Sequence, residues 1–508
     1  MKLMKLSRSP RLTLAVALSL AQSAAFAAAL PASSRTKVID KTVALDGRSV
    51  RLDSNAADVE VVASAGQSAT LHLELEYWSS NDEWMETVER EFDVDVEEFG
   101  GEVIFRQRNL NRLREEGWFK RLFGGNRVSY SIEIRLAVPV GTELEIENRY
   151  GKVSVADIGG PLAIDNNSGV VDVRGAAGRV EIENRYAKVA VTDSSGALDL
   201  QVNSGTVEVD RFDGSARVSN RYAEVRIEDV SGDLDLESGS GRLSVESIGG
   251  SAEISGSYAA AEVSGIGGAL DLSVSSGDVT VERVAERVEI RSSYGKTSVG
   301  DVGGDLVVRS TSGAVAVFGV RGSAKIGNSY GEVRVENVDG DADVNNQSGG
   351  VTMAGIGGLA SIVSSYDAVR VRGAGGLEVS SKSAGVTGTD IRGGADVTTS
   401  YAGVRLDGVA GPVSVRNNSG RVEVTGLSGA ALESDHRVET TYAEIVFEWP
   451  ASGPVPGFDL DCSYCSLESD FPATYDKSGS RRSATGEGSG PGGVTLSSTS
   501  GSVFLRKR

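Results

Sequence analysis

Residues 144–160 read LEIENRYGKVSVADIGG, and residues 180–196 repeat the pattern as VEIENRYAKVAVTDSSG. Tyrosine recurs every 36 residues across this part of the chain, at Tyr150, Tyr186, Tyr222, Tyr258, Tyr294, Tyr330 and Tyr366. Serine occupies the midpoints, at Ser168, Ser204, Ser240, Ser276, Ser312 and Ser348. The underlying unit is therefore 18 residues long. A fixed period of this length predicts a solenoid.

Apolar and polar residues alternate within one unit, which is the pattern of a strand with one buried face. Residues 144–150 form one alternating run and residues 153–156 form a second, with Gly151 between them. Ile158 adds a third apolar position, and Gly160 closes the unit. We therefore predict an all-β fold: a single-stranded parallel β-helix of about 18-residue coils with an N-terminal β-rich capping domain. Glycine in the Gly160 position is expected where a corner needs a positive φ or a close backbone approach.

The recurring tyrosine has two interpretations. Tyr150 shares the parity of Leu144 and Ile146, which favours a ring packed inward with its hydroxyl at the rim. The small residue that follows, Gly151, would then make room for the ring. In the alternative, the tyrosines form an exposed aromatic stripe that binds a repeating polymer such as a glycan.

The chain divides into four regions. Residues 1–27 read as a signal peptide, with a basic start, an apolar run over 12–26 and an A-x-A site at 25–27. Residues 28–140 lack the period and are expected to form a β-rich cap with a short helix over 82–91. The regular β-helix is predicted over 141–427, and irregular coils with a C-terminal cap over 428–508.

The signal-like segment predicts export to the periplasm, the cell surface or the medium. An uncleaved membrane anchor is the alternative, although the apolar run is short for a span. After cleavage we expect no transmembrane segment. Removal of residues 1–27 would take away four positive charges and move the net charge from −20 to −24. Such a chain repels nucleic acid and anionic membrane, so we expect no nucleic-acid partner. We expect the partner to be an envelope protein or a glycan.

A locally basic segment with interleaved apolar residues spans 106–127. It is a candidate helix for contact with a partner or a membrane, and the alternative, favoured by Gly117 and the short length, is a surface excursion packed on its own domain. The candidate contact residues are Arg112, Arg114, Trp118, Phe119, Lys120 and Arg121.

Cysteine occurs only at Cys462 and Cys465. A C-x-x-C pair can be a redox motif, half of a zinc site or a local disulfide. Zinc is disfavoured because there is no second pair and the two histidines, His72 and His436, are distant in sequence. The column alignment places the pair across a coil corner, which favours a structural disulfide.

The sequence offers no motif that singles out a catalytic residue. Carboxylates are plentiful on the outward positions, but the uniform coils predict no loop-walled cleft that would group them. Nucleotide-binding loops, a G-x-S-x-G elbow and the G-G-x-G-x-D calcium repeat do not occur. We therefore predict no enzymatic activity, no cofactor and no metal.

The repeated motifs resemble those of the bacterial "putative adhesin" family of domain-of-unknown-function proteins. They are YGKVSV at 150–155, SGAVAV at 312–317 and the closing SGSVFL at 500–505. The resemblance implies an envelope-associated, non-catalytic β-helix and transfers no catalytic residue. The function predicted is that of an extracytoplasmic structural, adhesin-like or binding rod. The alternative is a carbohydrate-active β-helix that cleaves or binds a polysaccharide.

Overall fold

A computed structural model describes residues 34–110 and 128–508. The chain is nearly all β, with parallel coils stacked about 18 residues apart. This confirms the predicted fold class. The predicted signal peptide, residues 1–27, and the six candidate contact residues between 112 and 121 lie outside the described residues.

The described chain forms two compact units. The smaller falls within Met1–Val38, Glu74–Phe92 and Asn109–Ile132. It contains helix α1 (Asp82–Glu91), as residues 82–91 predict. The Asn81 side chain caps this helix by accepting hydrogen bonds from the backbone N–H groups of Glu83 and Trp84, 3.0 and 3.4 Å away. Tyr77 packs edge-on against Trp84. Burial, with a hydrogen bond to Glu89, raises the pKa of Tyr77 to about 12.

The larger unit is a β-solenoid formed by Ile39–Leu73, Asp93–Arg108 and Glu133–Arg508. Seven strands precede the first regular coil within the described residues: β1 (Arg35–Ala44), β2 (Ser49–Ser54), β3 (Asp58–Ser64), β4 (Ser68–Ser79), β5 (Val94–Phe99), β6 (Glu102–Gln107) and β7 (Val128–Pro139). Some of them begin or end in the smaller unit.

The strands of the regular coils follow one another with short corners between them. They are β8 (Leu144–Tyr150), β9 (Val153–Ala156), β10 (Leu162–Ser168), β11 (Val171–Arg174), β12 (Ala177–Tyr186), β13 (Val189–Ser204), β14 (Val207–Tyr222), β15 (Val225–Val230), β16 (Leu234–Ile248), β17 (Ala252–Ile266), β18 (Leu270–Ser276), β19 (Val279–Val284), β20 (Val288–Tyr294), β21 (Thr297–Val302), β22 (Leu306–Ser312), β23 (Val315–Val320), β24 (Ala324–Tyr330), β25 (Val333–Val338), β26 (Ala342–Ser348), β27 (Val351–Tyr366), β28 (Val369–Ser381), β29 (Val386–Ile391), β30 (Ala395–Thr399), β31 (Val404–Val409), β32 (Val413–Asn417) and β33 (Val422–Thr425).

The C-terminal part begins with a short 3-10 helix, Gly429–Glu433, and continues in strands. These are β34 (His436–Thr440), β35 (Ile445–Trp449), β36 (Gly457–Ser463), β37 (Leu467–Ser469), β38 (Thr474–Ser478), β39 (Arg481–Gly486), β40 (Gly493–Ser498) and β41 (Val503–Lys507).

Parallel pairing stacks equivalent residues directly on one another. Leu162 of β10 lies opposite Leu144 of β8 and Val180 of β12. In the second strand column, Val171 lies opposite Val153 and Val189. The apolar residue of each column is buried, so the core is a continuous column of valine, isoleucine and leucine inside the coils. Ile158 and its equivalents supply the third buried side, as the sequence predicts.

Both ends of the solenoid depart from sequence order in the same way. The first coil of the chain, β2 and β3, lies between β6–β7 on one side and β8–β9 on the other. The last strands of the chain, β40 and β41, lie between β34–β35 and β36–β37. Antiparallel strands flank the outer coils, with β5 on β6 and β39 on β36. A coil formed by an end of the chain is thus paired on both faces.

The corner glycines divide into two kinds. Gly232, in the Gly160 position, does not have a left-handed backbone, whereas Gly178, Gly196 and Gly214 in the same position have φ values of 145°, 113° and 147°. The expectation of a positive φ is therefore met in only part of this column. A Cβ at Gly232 would lie 2.6 Å from the carbonyl oxygen of Gly214, so close backbone approach explains this glycine. The Asp157 position is also left-handed, since Asp157 has a φ of 59° and Gly175 a φ of 65°.

Candidate functional site

A buried asparagine fills the corner where the first strand of many coils ends. Asn166 Nδ2 donates to the carbonyl oxygen of Gly169 at 3.0 Å, and Asn346 Nδ2 donates to those of Gly331 and Gly349, both at 3.0 Å. Asn148, Asn184, Asn220, Asn328 and Asn417 occupy the same position in their coils. The amides hydrogen-bond the backbone of the turn from inside the corner.

The tyrosines of this corner are exposed. We call Tyr150, Tyr186, Tyr222, Tyr258, Tyr294, Tyr330 and Tyr366 the tyrosine row. Between 53% and 73% of each side chain is accessible to solvent. The prediction of inward packing is therefore wrong. Alternation stops at the buried Asn148, because Arg149 and Tyr150 are both exposed.

The small residue after each of the first six tyrosines serves the backbone and not the ring. Gly295, which follows Tyr294, has a φ of 118°, and a Cβ placed on it would lie 2.1 Å from the carbonyl oxygen of Gly277 in the neighbouring coil. The column is small because successive coils nearly touch there. The room that sequence reasoning assigned to the tyrosine ring is taken by the next coil.

The tyrosine row is regular along the stacking direction. Ser168 is in register with Tyr150 on one side and with Tyr186 on the other. Neighbouring paired strands are about 4.8 Å apart, so successive tyrosines lie about 9.6 Å apart. The arrangement offers a series of aromatic rings at a fixed spacing, separated by serine hydroxyls.

The residue that precedes each tyrosine is charged in part of the row only. Arg149, Arg185 and Arg221 precede the first three tyrosines and are exposed. Ser257 and Ser293 take this place before the next two. Sequence reasoning missed this change, although its signal, the repeated Asn-Arg-Tyr triplet at 148–150, 184–186 and 220–222, is visible.

Some carboxylates on the outward positions form ion pairs with arginines of neighbouring coils. Arg211 Nε donates to Asp193 at 2.6 Å, and this hydrogen bond lowers the pKa of Asp193. At the N-terminal end, burial raises the pKa of Glu145, although Arg51, 3.5 Å away, opposes the shift, and Glu147 adds to it. Arg51 also pairs with Glu147. These contacts describe charge neutralisation on a surface and not a free acid–base pair.

The two cysteines lie in the outermost C-terminal coil. Cys462 of β36 is bonded to Cys465, with their Cα atoms 6.0 Å apart. His436 is buried in the adjoining part of the solenoid; its Nδ1 accepts from the Val413 N–H at 3.2 Å, and its Nε2 donates to the Ala431 carbonyl at 2.7 Å. Over residues 34–110 and 128–508, no group of three or more His, Cys, Asp or Glu side chains is arranged to hold a metal ion.

The comparisons with known proteins agree with the repeat. Residues 264–363 match the model of the Toastrack family, DUF4097. This is a domain of unknown function, and the match confirms the resemblance predicted from the sequence. The matched stretch contains Tyr294 and Tyr330 of the tyrosine row. None of the helices in the part of the chain that the structure describes has the length and apolarity needed to cross a membrane.

Two solved structures are similar. One is described as a putative cell adhesion protein from Clostridium sporogenes, with 15% identity and a TM-score of 0.24, covering 35% of this chain and 99% of its own. The other is described as a putative adhesin from Parabacteroides merdae, with 13% identity and a TM-score of 0.13, covering 69% of this chain and 93% of its own. No curated protein matches this chain.

Proposed function

We propose that this protein is a non-catalytic binding protein of the bacterial cell envelope that holds an extended glycan along its tyrosine row. The observation that carries the proposal is the exposure of seven equivalent tyrosines in a register fixed by the backbone. Exposed apolar groups in a continuous series are typical of an interaction surface. A tyrosine ring adds a flat face for stacking and a hydroxyl for hydrogen bonding.

The fold itself does not require the tyrosines. Serine occupies the same corner in every second coil, and Ser168 pairs in the same register as Tyr150 and Tyr186. The small residue after each of the first six tyrosines is explained by the approach of the backbone and not by the ring. Since neither packing nor register accounts for the rings, a role at the surface is the remaining one.

A repeating surface favours a repeating ligand. One exposed ring gives a weak contact, but a polymer that touches several rings binds them as linked sites with a high effective concentration. The solenoid holds the rings at their spacing before the ligand arrives, which reduces the ordering cost of binding. Polysaccharides of the envelope have the required length and repeat.

Export of the protein is part of the proposal. The signal-like pattern of residues 1–27 supports it, and so does the pairing of Cys462 with Cys465, because disulfides persist in oxidising compartments. The periplasm and the outer surface both meet this condition.

Bond cleavage is the one step that distinguishes the carbohydrate-cleaving alternative from binding alone. A glycosidase needs one carboxyl group to donate a proton and a second as base or nucleophile. Glu145 has the raised pKa of a donor, but Arg51 lies 3.5 Å from it and also pairs with Glu147. We therefore propose binding without cleavage, and expect no release of reducing ends from any polysaccharide that the protein retains.

The test is retention on immobilised envelope polysaccharides. The double variant Tyr186→Ser, Tyr222→Ser introduces the residue of the intervening coils and should bind about tenfold more weakly, because two aromatic contacts are lost. Phe318→Ser is the control, since Phe318 is an equally exposed aromatic residue outside the tyrosine row. Unchanged retention of the double variant, or equal loss in the control, would contradict the proposal.

A further inference from the structure

The tyrosine row has two chemically different parts. Its first three tyrosines follow Arg149, Arg185 and Arg221, and we call these six residues the arginine–tyrosine stripe. In the later part, serine takes the place of arginine, at Ser257, Ser293, Ser329 and Ser365. A ligand that lies along the row therefore meets an arginine directly before the tyrosine only in the N-terminal part, although Lys296 follows Tyr294 at the same position as Lys152.

The three arginines are free to bind a ligand. Arg149, Arg185 and Arg221 are exposed and make no hydrogen bond or ion pair with any residue that the structure describes. Arginine elsewhere on the solenoid commonly pairs with a carboxylate of a neighbouring coil, as Arg217 does with Asp235 at 2.9 Å. An unpaired guanidinium keeps a fork of N–H donors that matches a carboxylate in two parallel hydrogen bonds.

The first two corners of the stripe are locally basic within an acidic chain. Lys152 and Lys188 follow the first two tyrosines at the same corner, whereas Glu224 takes this place after the third, within a chain of net charge −20. Lys188 is paired with Glu208, whereas no ion pair holds Lys152 within the described residues. A positive strip on an acidic protein favours an anionic ligand at this place, since the rest of the surface repels it.

The spacing identifies the pattern of charge in the ligand. Successive arginines lie two coils apart, about 9.6 Å, and one coil spans about 4.8 Å. One sugar of an extended polysaccharide is close to the length of one coil, so a disaccharide spans two. The coil between two arginines presents neutral polar groups, Asn167 with Ser168 and Asn203 with Ser204. Acidic and neutral sugars would thus meet alternate coils.

We propose that the arginine–tyrosine stripe selects an acidic polysaccharide in which a uronate alternates with a neutral sugar. Each arginine binds one carboxylate, the adjacent tyrosine stacks on the sugar ring, and the intervening asparagine and serine hydrogen-bond the neutral sugar. This inference rests on the proposed glycan-binding function and adds the chemical class of the ligand.

The test compares three defined polymers with the full chain. Hyaluronan alternates glucuronate with N-acetylglucosamine, polygalacturonate carries an acid on every sugar, and chitin oligosaccharides are neutral. We expect hyaluronan to bind best, with an affinity that falls as salt is raised. The triple variant Arg149→Ser, Arg185→Ser, Arg221→Ser should lose at least about tenfold in affinity for hyaluronan, because charge-assisted hydrogen bonds are removed. Its affinity for the chitin oligosaccharides should not change.

The matched control removes the same charge elsewhere. Arg287→Ser, Arg321→Ser, Arg370→Ser replaces three exposed arginines that do not precede a row tyrosine and should keep the wild-type affinity. A variant with the opposite expected effect is Ser257→Arg with Ser293→Arg, which extends the stripe by two arginine–tyrosine pairs and should strengthen hyaluronan binding. Equal losses in the two triple variants, or no gain on extension, would overturn the inference.

The outcomes separate this inference from the function on which it rests. If the wild type binds the neutral oligosaccharide as tightly as hyaluronan, glycan binding stands and the acidic ligand is wrong. If polygalacturonate binds more tightly than hyaluronan, the alternating charge pattern is wrong. If no polysaccharide binds and the serine variants of the tyrosines change nothing, the proposed function itself fails.

Discussion

Ala187 occupies a corner position that glycine fills in most coils. Its φ is 102°, a region that a residue with a Cβ rarely adopts. Backbone strain of this kind costs about 1–3 kcal/mol. Replacement by glycine relieves the strain, but part of the gain is lost because glycine also raises the conformational entropy of the unfolded chain. Ala187→Gly should therefore raise the stability by about 1 kcal/mol, measured by thermal unfolding.

The opposite substitution in the preceding coil provides the comparison. Gly169→Ala should lower the melting temperature, because its Cβ would lie 1.8 Å from the carbonyl oxygen of Gly151 and its φ is 142°. A lower melting temperature for Ala187→Gly would show that this corner does not have the conformation described.

This corner also marks the limit of what the sequence predicts at the scale of residues. The alternation of residues 144–148 correctly places Leu144 and Ile146 inside. It fails for Tyr150 because the buried Asn148 ends the alternation and turns its amide to the backbone, while Arg149 and Tyr150 both face solvent. Alternation predicts which side chains are buried only within a continuous strand, and the residue at which the corner begins cannot be recognised from the sequence. Period and core were therefore predictable, and exposure of the site was not.

At the scale of elements, the stacking order of the strands at the two ends of the solenoid could not be predicted from the sequence. Short strands can be recognised from alternation, but the order in which they stack depends on pairing between distant segments. β40 and β41 end the chain and yet lie inside the stack, between β34–β35 and β36–β37. Each coil depends on its two neighbours for hydrogen bonds, so an interior position for the last strands should protect the end from fraying.

Truncation after Gly492 tests this topology. Loss of β40 and β41 should free β36 and β37 from the solenoid and uncover β34 and β35, so limited proteolysis should cut within residues 428–470. The coils before residue 425 should stay resistant, because solenoid stability is a sum of local terms. Protection of residues 428–470 in the truncated protein would contradict the stacking order.

His436 makes the C-terminal coils sensitive to pH. Burial lowers its pKa below the ordinary value of about 6.5, because the charged ring is disfavoured inside the solenoid; its hydrogen bond to Ala431 and the charge of Asp435 oppose this shift. The unfolded chain then binds the proton more readily than the folded one. The stabilising effect is complete above about pH 6.5 and is lost as the pH falls from there through the lowered pKa.

The expected result is lower hydrogen-exchange protection in strands β34 and β35 at pH 5 than at pH 7, once the pH dependence of the intrinsic exchange rate has been divided out. His436→Gln should remove most of this difference, whereas His72→Gln, in the N-terminal strand β4, should leave it unchanged. An equal pH dependence in the wild type and His436→Gln would show that another group is responsible.

At the scale of the whole molecule, the 18-residue register makes coils removable. Deletion of residues 223–258 rejoins Tyr222 to Ala259 and keeps the alternation of tyrosine and serine. Deletion of residues 223–240 rejoins Tyr222 to Gly241 and places Tyr222 and Tyr258 on adjacent coils. Because the rings are exposed, both deletions should melt close to the wild type. Deletion of residues 223–231 breaks a coil and should unfold locally.

The same deletions change the binding surface in opposite ways. The longer one removes Tyr258 but keeps the spacing of about 9.6 Å between tyrosines. The shorter one keeps every tyrosine but moves the two halves of the tyrosine row out of phase by one coil. If an extended glycan reads the spacing, the deletion that preserves all the rings is the one that harms binding.

The affinity of these two proteins for the polysaccharide that the wild type retains is the most direct test of the tyrosine row as a binding surface. We predict near wild-type affinity after deletion of residues 223–258 and clearly weaker binding after deletion of residues 223–240, with both proteins folded. Equal affinities in the two, or a greater loss in the longer deletion, would contradict a glycan aligned along the row.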